Sequence, residues 1–225
     1  MTRKEIDGFP YISYSRPQIT DAQSIEMSTS FYEILSKRRT VREFSTRPIP
    51  EKVISNLLKT AGSAPSGANK QPWTFCIVTD PAIKKQIRVA AEAEEKVNYS
   101  SRMSPTWIQD LKHLGTDWQK PFLEDAPALI VVFKQSYGVE KGQKIQHYYV
   151  NESVGIACGF LIAAIHQAGL VTVTHTPSPM NFLSKILNRP SHEKPFLLLP
   201  IGFAAEDCHV PAIEKKSLMD FTVYF

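Results

Sequence analysis

Residues 143–168 carry the longest helical pattern in the chain, and the middle of that pattern limits how the chain can pack. Every position from 155 to 165 is small or apolar, beginning Gly155-Ile156-Ala157-Cys158-Gly159-Phe160, so no polar stripe is left to face water. A helix that is apolar all round must be covered on more than one side. The chain's own core supplies one cover, and a subunit interface would supply another. The nearly apolar run 154–165, bracketed by Glu152 and His166, is too short to cross a bilayer and reads as a buried helix. Gly169 supplies its stop.

Strand patterns alternate with helical ones along the rest of the chain. Residues 73–79 (WTFCIVT), 129–133, 170–176 and 196–203 read as strands, and the unbroken β-branched and aromatic run at 129–133 predicts a central position. Residues 21–37 place Ile25, Phe31, Ile34 and Leu35 on one helical face. Pro50 opens a second helix with an apolar stripe of Val53, Ile54, Leu57 and Leu58, and Asp80-Pro81 opens a third over 82–97. A short helix is expected at 181–187. Residues 1–20 show no period and predict an extended arm that needs another surface to order it. Residues 98–119 mix helical spacing with Pro105, Gly115, Trp107 and Trp118, the pattern of a cover rather than a core element. Residues 221–225 (FTVYF) have strong strand propensity at a terminus, where a lone strand is an exposed edge, so pairing with a partner's sheet is expected. At 225 residues the chain reads as a single domain, 1–225.

Composition excludes several classes. With 43% hydrophobic and 21% charged residues the chain is an ordinary globular one, and a net charge of +4 is too small to imply nucleic acid. Cys76, Cys158 and Cys208 are far apart and odd in number, which favours a reducing compartment over a disulfide framework. Cys158 reads as core rather than nucleophile. The N-terminus has no secretory signal, and there is no dinucleotide fingerprint, Walker loop, zinc-protease motif or serine elbow. The six histidines form no metal pattern, and His175, between Thr174 and Thr176 at a strand end, is the one placed for function. No metal, nucleic acid or membrane partner is expected, and the protein is expected to be soluble and cytoplasmic.

Three segments carry local chemistry. Arg38, Arg39 and Arg42 fall within five residues, and their planar forks suit phosphate oxygens, although a solvated basic patch explains them equally well. Residues 61–69 (AGSAPSGAN) would let a ligand approach the backbone closely, or form a plain loop. Glu92, Glu94 and Glu95 read as a solvated acidic face.

Taken together, the arginine cluster, PSGAN and TVTHTP resemble the flavin-binding elements of the nitroreductase superfamily. The EEKVNY, DWQKPF and HYYVNESVGIACG segments resemble one branch, the iodotyrosine deiodinases, in the same order and over about residues 10–225. The resemblance implies an α+β fold: a central mixed β-sheet flanked by helices, in an intertwined homodimer with C-terminal strand exchange and two FMN molecules at the interface. It implies that Arg38, Arg39, Thr40 and Arg42, with Val41 among them, hold the FMN phosphate, ribityl chain and ring edge. Pro65 and Ser66 would line the flavin and Gly67 would relieve crowding. Thr174, His175 and Thr176 would face the isoalloxazine, with Thr176 near N5 as a catalytic group. Lys215 stands where the family usually has a phosphate-binding arginine, keeping the charge but losing the fork.

The same resemblance implies a halotyrosine site. Glu95 would bind the substrate ammonium, Lys120 its carboxylate, and the Tyr99 hydroxyl would complete the clasp. The backbone N–H of Ala68 would meet the phenolate, giving Ala68 both a substrate-binding and a catalytic role. The implied reaction is FMN-dependent reductive dehalogenation of 3-halo-L-tyrosines (iodo-, bromo- and chlorotyrosine) to tyrosine and halide, under a lid at about 92–122. Electrons would come from NAD(P)H, directly or through a reductase. A general NAD(P)H-dependent flavin nitroreductase or quinone reductase would share the fold and flavin site without needing the clasp. Residues 1–20 show no apolar anchor like that of membrane-attached deiodinases, so a soluble bacterial-type homologue is expected.

Overall fold

The computed structural model describes residues 3–225. By internal contacts the chain divides into two units, Met1–Lys37 and Arg38–Phe225.

The first unit opens with a hairpin, not an extended arm. Strands β1 (Arg3–Ile6) and β2 (Phe9–Ile12) pair antiparallel. Asp7 (φ 52°) and Gly8 (φ 79°) both lie in the left-handed region, the geometry a two-residue turn needs and a signal that Asp-Gly carries in sequence. Helix α1 (Asp21–Ser36) begins at a capping box: the Gln23 N–H donates to Thr20 Oγ1, and the Thr20 N–H donates to Gln23 Oε1. The helix forms as its spacing predicts, yet none of its residues is buried, and Ile25 and Phe31 stay exposed.

The second unit is built on a four-stranded sheet. It contains β3 (Trp73–Val78), β4 (Ala128–Gln135), β7 (Val171–Thr172) and β8 (Glu193–Gly202) in the order β3-β4-β8-β7, paired antiparallel. A parallel bridge between Thr40 and Thr172 makes the sheet mixed. As its unbroken apolar run predicts, β4 is central and buried on both faces. Ile130 and Val132 pack with Leu57 and Ala61 of α2 (Glu51–Gly62) and with Val154, Leu161 and Ile165 of α6 (Val150–Gln167). On the other face Leu129, Val131 and Phe133 pack with Ile87 and Ala91 of α3 (Pro81–Val97), Phe122 and Leu123 of α5 (Phe122–Asp125), and Leu183 of α7 (Asn181–Ile186).

Several boundaries differ from expectation. The long helix starts at Val150, because residues 137–146 fold into a second hairpin of β5 (Tyr137–Glu140) and β6 (Gln143–Gln146) around left-handed Lys141 and Gly142. Pro50 caps α2 instead of forming its first turn. Residues 98–119 hold a π-helical turn, Asn98–Arg102, and α4 (Pro105–Lys112), whose Trp107 N–H donates to the capping Ser104 Oγ. Residues 221–225 form no strand in the protomer and are mostly exposed. Among the described residues no helix is long and apolar enough to cross a membrane, and no cluster of metal-ligating side chains occurs.

Candidate functional site

Helix α3 presents a charged stripe to the segment that follows α4. Lys84, Arg88, Glu92 and Glu95 recur at helical spacing, and Tyr99 continues the line into the π-helical turn. The acidic run is therefore not simply a solvated face. Glu95 is 7% exposed, and its Oε2 lies 3.5 Å from Nζ of Lys120, itself 4% exposed. That ammonium also donates to Thr116 Oγ1 (3.3 Å) and to the Asp117 carbonyl. It stands 5.6 Å from the Tyr99 ring centroid, and the Tyr99 hydroxyl donates to the Thr116 carbonyl at 3.3 Å. Burial lowers the Lys120 pKa, opposed by the neighbouring Glu95 charge. Burial likewise raises that of Tyr99, against its bond to Thr116.

A cavity of about 230 Å³ opens beside this cluster, with Glu95, Asn98, Arg102, Trp107, Thr176 and Ser178 among its lining. It thus joins the Glu95 carboxylate to Thr176. Tyr99 and Lys120 stand outside this lining, and Lys120 is in contact with Glu95.

The strand end alternates. Thr174 and Thr176 are exposed, while His175 between them is 8% exposed, with its N–H and carbonyl both bonded to Leu198. The His175 ring lies in the core, so it does not join the two threonines on their exposed side. Its Nε2 has no hydrogen-bond partner among the described residues. Burial first, and then the charges of Lys120 and Arg42, push its pKa down to about 3, so the ring is neutral at physiological pH.

The arginine cluster is pinned next to this strand. The Val41 N–H donates to the Thr172 carbonyl at 3.1 Å, Thr40 bridges the same residue, and the Val41 side chain enters the core. Arg38, Arg39 and Arg42 are partly buried, and among the described residues no carboxylate lies within ion-pair distance of any of them. Arg39 Nη2 donates to the Pro211 carbonyl, and Lys215 is exposed four residues further on. Burial lowers the Arg42 pKa. Guanidinium groups removed from water without an internal counter-ion fit an external anion such as a phosphate ester.

The 65–71 loop is strained. Ala68 (φ 49°), Asn69 (φ 53°) and Gln71 (φ 47°) are all left-handed. The Gly67 N–H donates to Ser153 Oγ, the amides of Asn69 and Lys70 donate to the Ser66 and Gly67 carbonyls, and the Gln71 N–H donates to Ser66 Oγ. None of these bonds uses the Ala68 N–H. Pro65 is exposed and Ser66 half-buried, and a Cβ at Gly67 would come within 2.7 Å of the Tyr148 carbonyl oxygen.

The nitroreductase family profile matches residues 35–203. An iodotyrosine deiodinase from Haliscomenobacter hydrossis is 58% identical, across 92% of this chain and 93% of its own. The chain belongs to the nitroreductase family, in its iodotyrosine deiodinase branch. Human iodotyrosine deiodinase 1 is 46% identical, across 94% of this chain and 74% of its own. A crystal structure of oxidized iodotyrosine deiodinase bound to FMN and 3-iodo-L-tyrosine aligns with a TM-score of 0.75 at 32% identity, covering 86% of this chain and all of that one. A nitroreductase-like protein from Streptococcus mutans, at TM-score 0.64 and 19% identity over 88% of this chain and 99% of its own, shares the fold.

Two further residues of the α3 stripe, absent from the site as read from the sequence, brace Lys120 and the segment that follows it. Glu92 Oε1 accepts both the Lys120 N–H (2.7 Å) and Arg88 Nε (2.8 Å). Lys84 Nζ donates to the Glu124 and Ala126 carbonyls, each at 2.7 Å. Their shared helical spacing was visible in the sequence, but their main-chain acceptors and donors were not.

Proposed function

We propose that this chain is an FMN-dependent reductive dehalogenase that converts 3-halo-L-tyrosines to tyrosine and halide. One observation carries the reading: the Glu95 carboxylate and the Tyr99 phenol, four residues apart on one helical line, meet the Lys120 ammonium beside a cavity walled by Thr176. That is the complement of a zwitterion. Bound FMN supplies two electrons, which with one proton replace the carbon–halogen bond by carbon–hydrogen.

The protein's residues bind and orient. Arg38, Arg39 and Arg42 hold the FMN phosphate and ring edge, Thr40 and Val41 fix their register, and Lys215 adds a point charge. Pro65, Ser66 and Gly67 shape the flavin-side loop. Thr174 and Thr176 lie on the exposed side of the strand end, where the Thr176 hydroxyl would be a hydrogen-bond donor toward the flavin ring near N5, and His175 supports them from the core. The left-handed turn at Ala68 offers its N–H to the substrate phenolate. Glu95 takes the substrate ammonium and Lys120 its carboxylate, so the substrate exchanges contacts with a pair that already neutralises itself. Residues 92–122 act as the cover that keeps water from the reacting ring.

The active form in this proposal is a homodimer. Ile156 and Phe160 of α6 are exposed, beside Gly155 and Gly159, whose missing side chains permit close approach. The tail exposes Phe221, Val223, Tyr224 and Phe225, and α1 exposes Ile25, Met27, Phe31 and Tyr32. A second copy would cover such surfaces, with the tail exchanged between subunits. NAD(P)H, directly or through a reductase, is the proposed electron source, and three free cysteines suit a reducing cytoplasm.

The test is anaerobic: the FMN-loaded protein is reduced, then mixed with 3-iodotyrosine, 3-bromotyrosine or a nitroaromatic. Rapid flavin reoxidation with stoichiometric tyrosine and halide is expected. Reoxidation by the nitroaromatic alone would select a general nitroreductase.

A further inference from the structure

Two carboxylates one turn apart on α3 grip the two ends of a single lysine. Glu95 Oε2 faces the Lys120 ammonium at 3.5 Å, and Glu92 Oε1 accepts the Lys120 main-chain N–H at 2.7 Å. The second contact is itself braced. Arg88 Nε donates to the same Glu92 oxygen at 2.8 Å, and Arg88 Nη1 reaches Glu124 Oε1 at 3.3 Å. The Glu92 side chain is only 17% exposed, and its hydrogen bonds hold its carboxyl below the usual carboxylate range against the opposing effect of burial.

We infer that Glu92 is a positioning residue for substrate recognition: through the Lys120 main-chain N–H it sets where the Lys120 ammonium stands for the substrate carboxylate. The inference rests on the assignment of Lys120 to the clasp. A lysine side chain has four rotatable carbons and no fixed direction of its own, so a point charge at its tip is well placed only if its backbone is. Lys120 follows an irregular stretch, residues 113–119, with no helix or strand; its carbonyl accepts the Leu123 N–H at 3.1 Å, and its N–H needs a fixture of its own. Glu92 supplies that fixture from a regular helix, one turn before the residue that meets the ammonium. A site built this way loses charge placement before it loses charge.

The experiment compares Glu92→Ala, Glu92→Gln and Lys120→Ala in the FMN-loaded protein. Dissociation constants are read from quenching of flavin fluorescence by 3-iodotyrosine and by 2-iodophenol, which keeps the ring and lacks the amino-acid end. Glu92→Ala is expected to weaken 3-iodotyrosine by about tenfold, while 2-iodophenol and FMN change by less than about twofold. Glu92→Gln, which keeps an oxygen acceptor for the Lys120 N–H, is expected to recover most of the loss. Equal weakening of both ligands by Glu92→Ala would mark a merely structural role and overturn the inference, as would no weakening at all. If Lys120→Ala discriminates between the ligands and Glu92→Ala does not, the positioning role alone fails. If neither variant discriminates, the clasp assignment fails with it.

Discussion

The His175 imidazole meets Phe122 edge to face, with ring centroids 5.6 Å apart and planes at 88°. This places a titratable ring in the core, with its folded pKa near 3 against about 6.5 in an unfolded chain. Between those values the unfolded state binds the extra proton, so stability rises with pH. The contribution is complete above about pH 6.5 and falls by about 1.4 kcal/mol for each pH unit below it. Urea unfolding should lose about 2 kcal/mol between pH 7 and pH 5 from this group, and His175→Leu should remove most of that slope. An unchanged slope in the variant would show that the ring is not the titrating group.

Glu95 and Lys120 neutralise each other in the absence of substrate, so Glu95→Gln has two consequences. The substrate ammonium loses a charged acceptor, which should weaken 3-iodotyrosine binding by roughly ten- to a hundredfold. The Lys120 ammonium keeps its bonds to Thr116 and Asp117 but loses its buried counter-charge, which should destabilise the fold by about 3 kcal/mol, the low end for breaking a buried pair. FMN affinity should stay within about twofold, because the arginine cluster is untouched. Titrations of FMN into the apoprotein and of 3-iodotyrosine into the FMN-loaded protein separate the two effects. Loss of FMN binding with unchanged substrate affinity would reverse the assignment.

At Gly67 the constraint is space. A Cβ would meet the Tyr148 carbonyl oxygen at 2.7 Å and the Tyr149 ring at 3.1 Å, and a main-chain carbonyl cannot swing aside as a side-chain tip can. Gly67→Ala should push the loop away from α6 and lengthen the bond from the Gly67 N–H to Ser153 Oγ, moving the Ala68 N–H with it. The expected cost is about 1–3 kcal/mol in stability, with substrate binding weakened alongside. Thermal unfolding and 3-iodotyrosine titration of the same preparation provide the check.

How much of this was legible depended on whether the partner of a residue lay near it in sequence. The central strand was readable because Val131, Val132 and Phe133 are apolar on both faces, and the α3 start because Asp80 and Pro81 are adjacent cap residues. The β5–β6 hairpin was hidden because a helical pattern ran across residues 143–149, and only the left-handed Lys141-Gly142 pair marks the turn. The burial of Glu95 could not be read locally. An acid on a solvated face and one turned toward Lys120 have the same helical spacing, and only the family resemblance favoured the second. Nor did the strand-end motif tell that the His175 ring enters the core; β7 ends at Thr172, and it is the separate bridge from His175 to Leu198 that sets its direction. The supports at Glu92 and Lys84 act on main-chain groups, which leave no trace in side-chain identity.

The arginine cluster yields a prediction that separates fork from charge. Arg39 is part-buried, spends one Nη on the Pro211 carbonyl, and has no carboxylate within ion-pair distance among the described residues. A lysine at this position would keep one positive charge but could not hold the Pro211 carbonyl and an anion in the same plane. Arg39→Lys should therefore weaken FMN binding by about tenfold and loosen the segment leading to Lys215. Arg39→Met, which also removes the charge, should weaken FMN further, with less dependence of the remaining affinity on salt. Lys215→Ala should cost less than either, because Lys215 is exposed and its charge is screened. Apoprotein titrations with FMN at low and high salt would order the three variants. If Lys215→Ala proved the most damaging, the phosphate would be held mainly by the tail rather than by the arginine cluster.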